Sequence, residues 1–255
     1  FLCEAVAALA GLATTLSGLA EDLIVLANKG LVELDDDYAS TSSIMPQKKN
    51  PDTLELVRST AGDASAALNG LLTTLKGLPR SYNRDLQNAT GYGWAAVDAV
   101  TEATEVAGGA VATATWPAAA LEAAASEGFS TATGVADLLA MGGLPFRTAH
   151  EIVAAAAADA TDGSPDRAAI EAATRDVTGE ALAEYAAPEA VEAALDPTES
   201  VASRDSPGGP AASAVETTLD ELTDAIAVDR DRIEDRKSTI DHANERRLEV
   251  VDTYV

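Results

Sequence analysis

Residues 1–32 read FLCEAVAALAGLATTLSGLAEDLIVLANKGLV, and leucine recurs through them with a seven-residue period. Two such series are offset by three residues, a pattern typical of a helix that packs along a seam against other helices. A helix over about 2–32 would be roughly 45 Å long. That length favours a bundle of long helices shared between subunits. The two series are Leu2, Leu9, Leu16 and Leu23, and Leu12, Leu19 and Leu26.

Two further long helices are predicted. Apolar residues keep a three- to four-residue spacing over about 52–78, with Asp52 or Thr53 in a first turn where such side chains favour a helix start. Residues 80–90 are polar, and a third helix then runs to about Trp116. The polar connections 33–51 and 80–90 are therefore expected at the ends of a rigid bundle, where functional loops are common.

The sequence changes character after residue 120. Helical runs become short and are interrupted by glycine and proline. We predict an all-α fold in two domains, a long-helix bundle over 1–120 and a small helical domain over 121–255. The second ends in a long helix from about 211 to 250, whose charged part reads as solvent-exposed. No strong strand pattern is present.

The composition excludes several classes of protein. With 42 acidic and 17 basic residues the net charge is −25, which argues against nucleic-acid binding. The acid is spread along the chain, which favours a surface adapted to a salty cytoplasm over a dedicated acidic interface. The single cysteine, Cys3, fits a reducing cytosol. No membrane span and no metal site are expected, because no charge-free run of about 20 apolar residues and no cluster with metal-ligand spacing occurs.

Residues 42–51 read SSIMPQKKNP and hold two of the chain's five lysines, Lys48 and Lys49. A positive cluster in so acidic a chain suits a small dianion such as a dicarboxylate. Lys48, the Asn50 amide and the helix N-terminus near Pro51 could together hold a carboxylate and stabilise negative charge beside it. A serine there could exchange a proton with a substrate carbon. From the residues alone, an ordinary helix–helix connection remains the alternative.

This stretch resembles the shared motif of the aspartase/fumarase superfamily. Its QKKNPD segment is similar to the corresponding segment of the argininosuccinate lyases in particular. Two further stretches resemble that family, LKGLP with YNRDLQ over 75–87 and GLPFRTAH over 143–150. The three occur in the family's order and at compatible spacing. The resemblance covers essentially the whole chain, as the C-terminal half of a member. It implies that 1–120 is the C-terminal part of the central tetramerisation bundle.

The resemblance also implies catalytic roles. Ser42 matches the serine proposed to remove a proton from the carbon next to the succinyl carboxylate. Lys48 and Asn50 match residues that steady the loop and the resulting aci-carboxylate. Glu55 matches the acid that pairs with the catalytic histidine. That histidine is expected N-terminal to Phe1, so the chain alone is expected to be inactive.

The implied substrate is argininosuccinate, cleaved to arginine and fumarate by elimination through a carbanion and without a cofactor. Tyr82 and Gln87 match substrate-binding positions. The implied assembly is a homotetramer in which each active site draws on three subunits. Two positions depart from the family: Thr41 replaces the glycine before the serines, and Thr90 replaces a substrate-binding lysine.

Two alternatives are weighed against this hypothesis. One is another fumarate-releasing member of the superfamily, an adenylosuccinate lyase or a fumarase. The QKK and YNRDLQ segments disfavour it. The other is a non-catalytic scaffold like the crystallins of this family, which the complete 42–51 motif disfavours. Neither histidine is assigned a catalytic role: His150 is expected to pack on a helix face of the small domain, and His242 to be solvated.

Overall fold

The computed structural model describes residues 1–41, 44–45, 49–160 and 164–254. These residues form ten α-helices and one short two-stranded sheet, which confirms the all-α prediction. The chain divides into two compact units, Phe1–Ala124 and Ala125–Val255. Each unit has a hydrophobic core of its own.

Three long helices form the first unit and all pack against one another. They are α1 (Leu2–Asn28), α2 (Asp52–Leu75) and α3 (Leu86–Thr113). α1 is shorter than predicted because the chain turns at Gly30, which has a positive φ of 70°. α3 begins inside the stretch expected to be a polar connection, because Asn83, Arg84 and Asp85 accept the first amide hydrogen bonds and so start the helix.

Small side chains let α3 approach its neighbours closely. Its buried positions alternate between four- and three-residue steps, and all but one are alanine or glycine. The facing positions of α1 and α2 supply larger residues such as Leu16, Leu54 and Leu71, so large groups pack into the space beside small ones. At Gly70 a Cβ would lie 2.3 Å from the ring of Tyr92, so only glycine fits there. The buried α3 residues are Ala89, Gly93, Ala96, Val100, Ala103, Ala107 and Ala110.

The leucine seam of α1 faces two ways. Leu16 and Leu23 are buried in the core of the unit. Leu12 and Leu19 of the second series are 42% and 39% exposed. The first series therefore packs into this bundle, whereas Leu12 and Leu19 of the second series lie on its surface.

α1 is also long and apolar enough to cross a membrane, with a mean hydropathy of 1.6. This is weak support for a span, because core helices of soluble proteins have the same properties. α1 packs against both α2 and α3 and contributes seven buried residues to the bundle. That packing accounts for part of its hydrophobicity, while Leu12, Leu19 and Val25 remain exposed.

The second unit begins within α4 (Ala118–Ser126) and builds its core from short helices. α5 (Ala132–Met141) ends at Gly142–Gly143 as the sequence indicates. Aspartates cap two of the later helices, with Asp166 accepting from the Ala169 amide and Asp196 from the Glu199 amide. The other helices are α6 (Phe146–Asp159), α7 (Arg167–Thr178), α8 (Pro188–Leu195) and α9 (Pro197–Ala202).

The last helix, α10 (Ala212–Tyr254), is exposed over nearly its whole length, as its charge predicts. The exposed residues include a row of apolar side chains, which the charge pattern of this helix did not predict. Leu219, Ile226, Ile233 and Ile240 follow one another every seven residues and are each more than half exposed. This spacing is typical of a helix that packs against a partner.

Burial on α2 predicts a sharp contrast between two leucines. Leu54 is fully buried and Leu56, two residues on, is 68% exposed. We expect Leu54→Ala to lower the free energy of unfolding by about 2–5 kcal/mol, because it leaves a cavity. Leu56→Ala should change it by less than about 0.5 kcal/mol. Urea unfolding measures both; equal effects would contradict this packing.

Candidate functional site

A short ladder closes the base of the 42–48 connection. β1 (Ser40–Thr41) runs antiparallel to β2 (Lys49–Asn50), with Ser40 opposite Asn50 and Thr41 opposite Lys49. Two residues per strand are too few for an alternating pattern, so this ladder is not predictable from the sequence. Two of the predicted catalytic residues, Ser42 and Lys48, lie outside the described residues. The chain attaches them directly to Thr41 and Lys49, which are partners in the ladder.

The segment 33–41 that leads into β1 is fastened at several points. Glu33 exchanges two backbone hydrogen bonds with Thr115, of 2.9 and 2.8 Å, just beyond the end of α3. The Thr53 hydroxyl donates to the Tyr38 carbonyl oxygen at 2.6 Å. The Ser40 hydroxyl donates to the Asp52 carboxylate. The first turn of α2 thus holds the strand that precedes Ser42.

Lys49 makes the main electrostatic contact of this region. Its ammonium lies 2.6 Å from Asp36 Oδ1 and 3.4 Å from Glu33 Oε1, and donates to the Leu34 carbonyl oxygen at 3.4 Å. The hydrogen bond to Asp36 is the main cause that raises the Lys49 pKa above its ordinary value. The pairing is therefore present below the ordinary lysine pKa of about 10.4 and is lost as pH rises through the raised value. This differs from the expectation that both lysines serve an anionic ligand: Lys49 neutralises carboxylates of its own chain.

Asn50 and Glu55 lie close to the ladder. Asn50 is half-buried in β2 and lines a cleft of about 340 Å³, together with Glu33 and Lys49. Glu55 is exposed in the first turn of α2. Its carboxylate makes no hydrogen bond or ion pair with any residue that the structure describes. Glu55 is therefore available to a group from elsewhere, as the expected pairing with a histidine requires.

Tyr82 and Gln87 lie together but far from the ladder. The Gln87 amide donates to the Tyr82 hydroxyl at 3.1 Å, and both side chains are exposed. α3 runs antiparallel to α2, since Gly70 faces Tyr92 whereas Val57 lies beside Ala103. Twenty residues of α2 thus separate Glu55 from this end, about 30 Å at 1.5 Å per residue. A single chain does not bring the two predicted groups together.

The departures from the family pattern sit in exposed positions. Thr41 ends β1, so extended backbone occupies the place of the family's glycine. Thr90 lies one helical turn after Gln87 on α3 and is exposed. His150 is exposed on α6, rather than packed, and His242 contacts Glu245 at 3.3 Å. Within the described parts of the chain, no group of three or more His, Cys, Asp or Glu side chains is placed to hold a metal.

Sequence reasoning missed the contact between Tyr38 and α3. A Cβ built on Gly109 would lie 1.9 Å from the Tyr38 hydroxyl oxygen, so the ring packs where a side chain would otherwise be. Tyr38 is two residues before β1 and so ties the ladder to the bundle. A signal was present, since two adjacent glycines inside a predicted helix weaken it and need a packing reason.

The glycine pair provides a matched test. Both residues lie inside α3, but a Cβ at Gly108 meets nothing within 4 Å. We expect Gly108→Ala to stabilise the protein by up to about 1 kcal/mol through helix propensity. Gly109→Ala should forfeit that gain and cost about 1–3 kcal/mol, because Tyr38 is displaced. Urea unfolding of both variants measures the difference, and equal stabilities would refute the contact.

Comparisons with known proteins bear on the class of protein. A family model described as "Lyase" matches residues 1–65, and one described as "Argininosuccinate lyase C-terminal" matches residues 129–202. An EDDS lyase solved with formate is 30% identical with a TM-score of 0.75, and a variant with bound fumarate is 29% identical with a TM-score of 0.76. Each match covers 90% of this chain and 47% of the EDDS lyase chain. Fold and motif together define a lyase of the aspartase/fumarase superfamily.

The relatives identified by sequence show which family of this superfamily the chain belongs to. The argininosuccinate lyase of Haloarcula marismortui is 62% identical over the whole chain, and that of Halobacterium salinarum is 65% identical over 90% of it. The matches cover 52% and 47% of those two proteins, so the chain spans about half of their length. The chain belongs to the argininosuccinate lyase family. This membership favours the argininosuccinate lyase hypothesis over another lyase of the superfamily and over a non-catalytic scaffold protein. The similarity to proteins of halophilic organisms agrees with the acidic composition.

Proposed function

We propose that the protein containing this chain cleaves argininosuccinate to L-arginine and fumarate. The observation that carries the proposal is the 62% identity to an argininosuccinate lyase along the entire chain, 42–51 motif included. An EDDS lyase with bound fumarate shares the fold, which agrees with a fumarate-releasing reaction. Because the chain spans half of its relatives, turnover is expected from the full-length protein.

The proposed chemistry is an elimination. Ser42, deprotonated to its alkoxide with the help of the neighbouring positive charges, takes the proton from the carbon next to a succinyl carboxylate. The electron pair of that C–H bond moves into the carboxylate to form an aci-carboxylate. Lys48 and the Asn50 amide stabilise its added negative charge. The electron pair then returns, forms the double bond of fumarate and expels the guanidine nitrogen, which takes up a proton to give arginine. Glu55 serves this exchange by pairing with a histidine from another part of the protein, and no cofactor takes part.

The position of the two groups supports a composite site. Asn50 and Glu55 lie at one end of α2, and Tyr82 and Gln87 at the other, about 30 Å away. One site can contain both groups only if different chains supply them. We propose that Tyr82 and Gln87 bind the substrate in a site whose serine comes from a second subunit of a homotetramer.

The domain roles follow from the same proposal. Residues 1–120 form the C-terminal part of the central bundle domain, and 121–255 form the C-terminal domain. Exposed apolar residues on the bundle, including Leu12, Leu19 and Trp94, would be covered in the tetramer. We place the assembled enzyme in the cytoplasm, where Cys3 of this chain stays reduced.

Ser42→Ala in the full-length protein is expected to lower kcat for argininosuccinate at least about 10²-fold, because a positioned base is lost. Fumarate absorbance measures the rate, and thermal melting checks folding. Ser43→Ala is the matched control and should cause a smaller loss. An unchanged rate in Ser42→Ala would remove Ser42 from catalysis.

Substrate identity is tested in the same assay with adenylosuccinate. We expect fumarate from argininosuccinate and none from adenylosuccinate. Fumarate from adenylosuccinate alone would contradict the proposal in favour of another superfamily lyase. Release from neither substrate by a well-folded tetramer would favour the scaffold.

Two inactive variants should restore each other. In the proposed composite site Ser42 and Gln87 come from different subunits, so mixed tetramers of Ser42→Ala and Gln87→Ala would contain some sites with both residues intact. We expect refolding the two together to recover part of the wild-type kcat. Ser42→Ala mixed with Asn50→Ala is the control and should stay inactive, because both changes affect the same end. Absence of recovery in the first mixture would contradict the composite site.

A further inference from the structure

We propose that Lys49 is a positioning residue, and that its clamp on Asp36 and Glu33 holds the ladder from which Ser42 and Lys48 extend. The inference rests on the proposed function. It assigns Lys49 a role different from that of its neighbour Lys48. The two lysines look equivalent in the sequence, but Lys48 would contact the substrate, whereas Lys49 would contact carboxylates of its own chain.

The first support is the geometry of the clamp. The Lys49 ammonium has three oxygen partners in the segment before β1, the carboxylates of Asp36 and Glu33 and the Leu34 carbonyl. These partners are 13 to 16 residues away along the chain. Among the described residues, Lys49 provides the side-chain contacts that join β2 to the segment 33–36. Its raised pKa agrees with a cation held by acceptors.

The second support is the small number of other side-chain contacts to β2. A ladder of two residue pairs is not stable on its own. β1 is fastened by Ser40 to Asp52 and, through Tyr38, to Thr53 and Gly109. Among the described residues, no other side-chain hydrogen bond or ion pair holds Lys49 or Asn50. Asn50 continues directly into the buried Pro51 at the start of α2, so that end of β2 stays attached. Loss of the clamp would therefore loosen the Lys49 end of β2, to which Lys48 is joined, while β1 stays in place.

The third support is the register. Thr41 pairs with Lys49, and the chain continues from these two residues into Ser42 and Lys48. Asn50, the remaining loop residue of the proposed catalytic set, is in β2 itself. A shift of β2 against β1 would move Lys48 and Asn50 relative to Ser42. Small misplacements of catalytic groups cost rate far more than they cost stability.

The clamp contributes little to global stability, because exposed ion pairs are weak in water. The Lys49 side chain is 41% exposed, and those of Glu33 and Asp36 are 67% and 85% exposed. Variants should therefore fold. A purely structural role predicts no specific loss in kcat, whereas a positioning role predicts a loss in kcat with KM preserved.

The test uses the full-length protein with the variants Lys49→Met, Lys49→Arg, Asp36→Asn and the double variant Lys49→Met/Asp36→Asn. We expect Lys49→Met and Asp36→Asn each to lower kcat at least about tenfold with KM nearly unchanged. Lys49→Arg keeps the charge and should retain most of the rate. The double variant should be no slower than Lys49→Met, because both changes break one contact. Lys29→Met, the same substitution at the exposed end of α1, should leave kcat unchanged.

Amide hydrogen exchange over 40–41 and 49–50 gives a readout independent of activity. Exchange should be faster in Lys49→Met than in wild type and unchanged in Lys29→Met. Unchanged exchange, an unchanged kcat, a loss confined to KM, or losses that multiply in the double variant would each overturn the proposal. If the wild-type protein does not cleave argininosuccinate, the proposed function fails instead, and exchange alone decides whether Lys49 holds the ladder.

Discussion

The close approach of three helices is the constraint on which the first unit depends. α3 offers its neighbours alanine and glycine at almost every buried position, so α1 and α2 can lie against it and fill the space with leucine. Close packing of this kind leaves little freedom for either end of the bundle, because interiors transmit strain. The segment 33–41 is fixed by the same device, since Tyr38 packs against a helical glycine. The base of the proposed catalytic loop is thus held by a rigid scaffold.

That scaffold also separates the proposed functional groups. Glu55 lies in the first turn of α2 and Gln87 lies beside its other end, in the first turn of α3, and no rearrangement of side chains could close about 30 Å. If the proposed composite site is correct, oligomerisation is part of catalysis. The exposed leucines of α1 are then candidates for the faces that join subunits.

Charge is used sparingly around the ladder. In a chain of net charge −25, the Lys49 ammonium pairs with the carboxylates of Asp36 and Glu33. In the proposed site Lys48 serves the anionic substrate, and the pairing at Lys49 reduces the repulsion that these two carboxylates would exert on that substrate.

The sequence by itself determined the helical class and the motif, because each rests on local periodicity or on a contiguous run of residues. Glycine and proline also lie next to helix ends of the second unit, such as Gly142 after α5 and Pro188 at the start of α8. Only the tertiary structure showed the two-residue strands, the clamp of Lys49 and the contact of Tyr38 with Gly109. These join residues far apart in the chain, and two-residue strands carry no period that a sequence could display. The structure likewise decided that the leucine seam faces two ways and that Tyr82 and Gln87 lie far from Asn50, since only the packing of whole helices sets which face is buried and which ends meet.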